Sequence, residues 1–251
     1  MEKILLIGAG GKMGRVIADC VSERHDCEIV AGVDKVKTEA RFPVYENIDD
    51  VGASPDVIID FSHPSALCDI LGYAEKHGIP VVLATTGYGK EDIDMINAAS
   101  KKIPVFFTYN MSIGVNLLAE LAKTAAAVLS PDFDIEIVEA HHNQKLDAPS
   151  GTAMMLGDAV MSATDGDYYY EFDRHSKRRK RDKHEIGMHA IRGGTIVGEH
   201  EIIFAGRDEI IKLSHSARSK EIFAVGAVNA AMFMCGKKAG LYNMSDLVSS
   251  K

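Results

Sequence analysis

The sequence predicts an α/β protein: a parallel-sheet domain layered with helices, plus a smaller α+β domain with a mixed sheet. Two observations carry that reading. Up to residue 107, short apolar runs alternate with helical periodicity, the pattern of parallel strands joined by right-handed crossovers. From Ser112 onward one long helical stretch gives way mostly to strands.

The elements follow in order. Ile4-Leu5-Leu6-Ile7 is an apolar strand ending at Gly8, and a helix runs through Val16, Ile17, Cys20 and Val21. Residues 28–33 form a second strand closed by Asp34, and the stretch from Lys35 to Pro55 has no clear period and reads as irregular. A third strand covers 56–61. His63-Pro64 then opens a helix that stops at Gly78, since glycine tolerates the left-handed turn that ends a helix. Strands at 80–84 and 103–107, with a helix at 90–101 between them, complete five. The long helix carries Ile113, Leu117, Leu118, Leu121, Ala125 and Val128 and ends before Pro131. Strands are expected at 133–139, about 186–192, 195–204 and 208–214, with a final helix over 222–234. The basic run from Arg174 to His184 reads as a solvated, mobile loop. A nuclear signal or nucleic-acid patch lacks aromatic interleaving or a binding fold to support it, and a basic lid over an anionic ligand is the third option.

Composition narrows the function classes. A chain of 251 residues can bury a large core in one or two domains. Its net charge of −8 argues against a nucleic-acid protein. No apolar run approaches the roughly 20 residues that span a bilayer, and Met1-Glu2-Lys3 leads into no signal-peptide core. The four cysteines lack Cys-x-x-Cys spacing, so zinc and redox motifs are absent. Reduced thiols and a cytoplasmic location are expected.

Gly8-Ala9-Gly10-Gly11-Lys12-Met13-Gly14 joins the first strand to the first helix. Glycines there let the backbone approach a pyrophosphate, which the helix N-terminus stabilises. The usual spacing would put the third glycine at Met13; Gly14 is displaced by one. Asp34, about 20 residues on, can accept hydrogen bonds from the adenine ribose. The pattern predicts a Rossmann-like domain that binds a dinucleotide. Asp34 favours NADH, whereas Lys35 and Lys37 could hold a 2′-phosphate; NADH and NADPH both stay open, with a lean to dual use.

The segment Glu136-Ile137-Val138-Glu139-Ala140-His141-His142-Asn143-Gln144-Lys145-Leu146-Asp147-Ala148-Pro149-Ser150-Gly151-Thr152-Ala153 is the most informative in the chain. It starts as an alternating strand, opens into a loop with two histidines and a lysine, and restarts as a helix. Titratable donors thus lie beside a helix N-terminus, where free amides and the positive dipole end favour an anion. Residues 151–157 contain no Asp or Glu to compete for those amides. A metal at His141-His142 is not expected, because adjacent side chains seldom converge on one ion.

This segment resembles the signature of the 4-hydroxy-tetrahydrodipicolinate (dihydrodipicolinate) reductase family, which serves the diaminopimelate route to lysine. Glu136, Glu139, His141, Lys145, Asp147 and Pro149 to Ala153 stand at the family's spacing. The resemblance extends through Gly8–Gly14, Asp60-Phe61-Ser62, Thr85-Thr86-Gly87, Arg192-Gly193-Gly194, Gly198-Glu199-His200 and His215-Ser216-Ala217-Arg218, nearly the whole chain. It implies a dinucleotide-binding domain over 1–111 and 223–251, with a substrate-binding and oligomerisation domain over 112–222, assembled as a homotetramer. His141 and Lys145 are then the catalytic pair. His142, Ser150, Gly151 and Thr152 bind substrate. Gly8, Ala9, Gly10, Gly11, Lys12 and Met13, then Asp34, Lys35, Ala84, Thr85, Thr86 and Thr108-Tyr109-Asn110-Met111, contact the cofactor. The chain departs from the family at Ala84, where glycine is usual, at Thr108–Met111, where Ala-Pro-Asn-Phe is usual, and in its basic run.

The substrate so implied is a cyclic imine dicarboxylate. Imidazole titrates near neutrality, which suits His141 to proton exchange at the ring, and Lys145 can supply a cation or proton to the ring nitrogen. Ser150 with the Gly151 and Thr152 amides can hold a carboxylate. His200 and His215 could line the pocket or pack a core. Two other readings remain. Another nicotinamide dehydrogenase of the same build would need a nucleophilic cysteine near the cofactor, and none is suitably placed. A non-catalytic dinucleotide sensor would bind NADH without turnover.

Overall fold

The computed structural model describes residues 1–36 and 38–250; Lys37, a candidate partner for a 2′-phosphate, lies outside them. In chain order the elements are β1 (Glu2–Ile7), α1 (Lys12–Ser22), β2 (Cys27–Val33), β3 (Val44–Tyr45), β4 (Val57–Asp60), α2 (Leu67–His77), β5 (Val81–Leu83), α3 (Lys90–Ala99) and β6 (Pro104–Phe107). They continue with α4 (Ile113–Leu129), β7 (Asp134–His141), α5 (Gly151–Met161), β8 (Tyr169–Glu171), β9 (Glu185–Arg192), β10 (Gly198–Ala205) and β11 (Ile210–Ala217). Last come α6 (Glu221–Met234), β12 (Gly240–Tyr242) and α7 (Met244–Ser249). The chain divides into two compact units, Met1–Ile113 with Lys220–Lys251, and Gly114–Ser219.

The first unit holds one sheet in the order β12-β6-β5-β4-β1-β2-β3, parallel throughout. Its central strands are continuous apolar runs because helices cover both faces. One apolar layer sets Ile4, Leu6 and Ile59 against α1 and α6; the other sets Leu5, Ile58 and Val81 against α2 and α3. Two of these strands, β3 and β12, were not among the five expected, and α7 follows the helix expected to be last. Both strands are only two or three residues long, too short for a period to register. Because the chain leaves β1 toward β2 and β3 and then returns to place β4 on β1's other side, the sheet order reverses between β1 and β4. A crevice forms at the carboxyl ends of such a pair.

The second unit has the order β11-β10-β7-β9-β8. β7 pairs antiparallel with β10 and parallel with β9, which makes the sheet mixed. Ile135 and Ile137 of β7, with Ile202 and Phe204 of β10, pack under α4 and α5. The next residues on that same face of β7 are Glu139 and His141, since strand side chains alternate with period two.

The basic run is not a free loop. Arg174 and Arg179 reach Glu185, Lys177 reaches Glu171, and both carboxylates are buried. Arg181 bonds Asp134, Glu136 and the Ile135 carbonyl at 3.0, 2.9 and 2.8 Å. Arg174, Lys177, Arg179 and Arg181 thus meet acids on β7, β8 and β9, while most of the run stays exposed.

Candidate functional site

In the first unit, Gly8 turns the chain at φ +79°, where a Cβ would lie 2.5 Å from the Phe61 carbonyl oxygen. Gly11 caps α1 and donates to the Gly8 carbonyl at 3.1 Å. Gly14, the displaced glycine, packs so closely that a Cβ would meet the Gly8 oxygen at 2.2 Å. The working glycines are therefore 8, 11 and 14; Met13 needs none, and it packs partly into the core. The Asp34 carboxylate accepts from the Gly10 amide at 2.8 Å and the Val36 amide at 2.9 Å, which fixes it beside the turn.

A cavity of about 760 Å³ opens here, lined by Gly8, Gly11, Asp34, Lys35, Ser62 and His63 among others. It lies at the carboxyl ends of β1, β2 and β4. These residues fit a dinucleotide: a backbone cradle with no room for side chains, a helix N-terminus, and an anchored carboxylate with acceptor capacity left. Ala9 is buried, and Lys12 begins α1 with an exposed side chain.

Ala84, Thr85, Thr86 and Thr108–Met111 do not line that cavity. They follow β5 and β6 at the same sheet edge. Thr85 accepts from the Ser62 amide at 2.9 Å. Thr86 and Tyr109 are exposed, Tyr109 edge-on to Phe107. Thr108 caps its own turn through Asn110, whose side chain accepts from the Ser112 amide at 2.8 Å. The Met111 side chain points into the core, so only its backbone is available to a ligand. Beneath this edge the fully buried Asp60 bonds Ser62 and Tyr88. Burial raises its carboxyl above the usual range, against the lowering effect of those bonds.

In the second unit, the carboxyl end of β7 meets the N-terminus of α5. Glu139 is 1% exposed. Its Oε2 lies 2.6 Å from His141 Nδ1, and its Oε1 accepts the Ser150 amide at 3.0 Å. Arg192 of β9 donates to both oxygens, at 2.8 and 2.7 Å. Burial pushes the Glu139 carboxyl up, but Arg192, His141 and Ser150 outweigh it and hold the group below the usual range. A carboxylate only accepts, so the His141 proton sits on Nδ1 and leaves Nε2 for chemistry. His200, directly across from Glu139 on β10, stacks edge-on to His141 at 5.2 Å. Burial, then the neighbouring His141, lowers its pKa to about 4.

Ser150 is buried and already engaged: its hydroxyl accepts from the Ala153 amide at 3.1 Å and lies 3.2 Å from His200 Nε2. It caps the helix, so its hydroxyl is not open to a substrate carboxylate as expected. Gly151 begins α5 exposed, with Thr152 half-buried beside it. Lys145 pairs with Asp147 at 2.8 Å, and the loop carrying it is held by the Lys145 amide on the His142 carbonyl at 3.2 Å. Residues 151–157 carry no acid, as read from the sequence, but Asp147 just before the helix faces the Gly151 amide; Lys145 and that amide hold its carboxyl low despite partial burial. His215, in register with His200 on β11, lines a small cavity with it and Glu139.

Glu139, Arg192 and His200 acquire definite contacts that the sequence reading did not assign. The period-two spacing of Glu139 and His141 was a usable signal for the first. Arg192 lies 53 residues away, and only the parallel pairing of β7 with β9 brings it in. Among the described residues no cluster is arranged to hold a metal ion, and no helix is long and apolar enough to cross a membrane.

Comparison with known proteins is consistent across the chain. Residues 2–111 match the family described as dihydrodipicolinate reductase, N-terminus, and residues 114–248 match its C-terminus. The 4-hydroxy-tetrahydrodipicolinate reductase of Clostridium novyi (strain NT) is 50% identical, covering 100% of each chain. That of Caldanaerobacter subterraneus subsp. tengcongensis is also 50% identical, covering 99% of this chain and 98% of its own. Among solved structures, the dipicolinate-bound dihydrodipicolinate reductase of Paenisporosarcina sp. TG-14 superposes with a TM-score of 0.81 at 24% identity, covering 97% of each chain. At that identity it speaks for the fold alone.

Proposed function

Because the chain belongs to the dihydrodipicolinate reductase family, we propose that it reduces 4-hydroxy-tetrahydrodipicolinate to tetrahydrodipicolinate with loss of water. The observation that carries this reading is the His141–Glu139 pair on the strand that leads through the Lys145 loop to the N-terminus of α5. A reduced nicotinamide, held by Gly8–Met13 and Asp34 and their neighbours at the strand ends, supplies the hydride when bound.

The remaining work falls to side chains of the second unit. The Gly151 and Thr152 amides, at the positive end of α5, bind one carboxylate of the heterocycle, and Lys145 adds a cation. His142, half-buried beside them, is the further substrate contact. As charge builds on the ring nitrogen, Lys145 stabilises it and can deliver a proton. Nε2 of His141 exchanges the proton at the ring carbon next to the one that is reduced. Asp147 faces two of these donors, Lys145 and the Gly151 amide, and gives way to the substrate carboxylate.

NADH is the preferred cofactor on this reading and NADPH is also accepted. Asp34 is fixed at the ribose end, and Asp49, Asp50 and Glu46 line the same cavity, so a 2′-phosphate meets several carboxylates with Lys35 as the nearby cation. The protein acts in the cytoplasm as a homotetramer; exposed Ile191, Ile210 and Ile211 on β9 and β11 suit an interface of the second unit.

Titration with dipicolinate, a flat dicarboxylate heterocycle, tests the site. Lys145→Ala should weaken binding by roughly 10-fold or more, the scale of a charge-assisted hydrogen bond of ~1.5–3 kcal/mol. Asp147→Ala, which removes the acceptor facing Lys145 and the Gly151 amide, should tighten it. Unchanged affinity in both variants contradicts the site.

A further inference from the structure

We propose that Glu139 is a positioning residue for this reaction: one buried carboxylate sets both the tautomer of His141 and the placement of that imidazole relative to the amides that hold the substrate. The inference rests on the roles given above to His141 and α5.

Each oxygen of Glu139 has a separate partner. Oε2 takes the Nδ1–H of His141 at 2.6 Å, and Oε1 takes the Ser150 amide at 3.0 Å. Arg192 spans both oxygens, so the carboxylate cannot rotate without breaking bonds to three groups at once. The same guanidinium donates to the Asp147 carbonyl at 2.6 Å and so ties down the loop that carries Lys145. Strand β7, strand β9, the helix end and the lysine loop converge on one carboxylate.

The consequence for chemistry is directional. With Nδ1–H committed to Glu139, Nε2 keeps its lone pair and points past Gly198, where a Cβ would stand only 3.1 Å away. The groups facing the imidazole are Glu139 from its own strand, Arg192 from β9 and His200 from β10, with the charge of Lys145 reaching His200. A glutamine at 139 cannot reproduce this. Its NH₂ must face Arg192 together with either Ser150 N–H or His141 Nδ1–H, donor against donor. The imidazole can relieve that conflict by moving its proton to Nε2, which removes the acceptor from the reacting side.

The test uses the full chain with NADH. In Glu139→Gln, ¹⁵N imidazole shifts should report the His141 proton moved to Nε2, with kcat reduced roughly 10–100-fold, the usual cost of losing the partner that orients a functional histidine. NADH affinity should stay unchanged, and Glu139→Asp should restore the Nδ1–H tautomer and part of kcat. Retention of Nδ1–H in Glu139→Gln, or undiminished kcat, overturns the proposal. If that variant does not fold, Arg192→Lys keeps the charge but not the two-oxygen bridge; a lowered kcat supports the proposal and an unchanged one overturns it. The tautomer is read without substrate, so it decides this proposal even where an inactive wild-type protein refutes the functional reading.

Discussion

His141 and Lys145 differ in how firmly they are held, yet the proposed roles predict the same outcome for replacing either. His141 is buried against Glu139, whereas Lys145 leans on the half-exposed Asp147. Replacing either with alanine should cut kcat by roughly 10²-fold or more, the scale of a positioned acid–base group. NADH affinity, measured by fluorescence titration, should not move; wild-type turnover in both variants contradicts the assignment. His200 makes a separate prediction about stability. Its pKa is lowered from the usual 6.5 to about 4 in the folded chain, so between those values the unfolded chain binds more protons. The stability from keeping it neutral is therefore present above about pH 6.5 and lost as the pH falls toward 4. His200→Gln can still accept from the Ser150 hydroxyl and should flatten the melting temperature across that window. An unaltered slope shows that His200 does not titrate there. These residues were legible to different degrees: the histidines and lysine lie in one contiguous segment, whereas the meaning of Glu139 depended on a partner on another strand.

At the scale of elements, two strand-to-helix passages carry most of the proposed site residues. The first is the strand-to-helix turn of β1 and α1, where Gly14 seats the helix against the Gly8 carbonyl. Gly14→Ala would place a methyl 2.2 Å from that oxygen, so the helix must shift. The expected cost is ~1–3 kcal/mol, as for other overpacked sites, with NADH binding weakened or lost; equilibrium unfolding and cofactor titration check it. Full stability with unchanged NADH affinity contradicts the packing role. The second is the passage from β7 to α5, where a face that is isoleucine under the helix becomes Glu139 and His141 at its open end. The long periodic elements were readable because burial on one or two faces writes a period into the sequence. The short strands β3, β8 and β12 write none. The basic run is an exposed loop, as its charge suggested, but its anchoring was not legible. Glu171 and Glu185, near the ends of the run, are buried and tether Arg174, Lys177 and Arg179, a pairing that charge density alone does not reveal.

At the scale of the whole molecule, each unit has its own core and, on the proposed reading, its own part in the chemistry. One supplies a glycine cradle with an anchored aspartate, the other a clamped imidazole beside a helix end. The mixed sheet and the doubly wound sheet were both foreshadowed by the change of pattern at Ser112. The preference between NADH and NADPH was not, because Asp34 and Lys35 are adjacent and argue oppositely. The structure adds the carboxylates of Glu46, Asp49 and Asp50 to that cavity wall. The most direct test of the account follows loss of reduced nicotinamide absorbance while the hydroxy-tetrahydrodipicolinate is generated in situ from pyruvate and aspartate semialdehyde. The account predicts enzyme-dependent oxidation, faster with NADH than with NADPH at subsaturating cofactor. No oxidation of either, by protein shown to bind NADH, contradicts it.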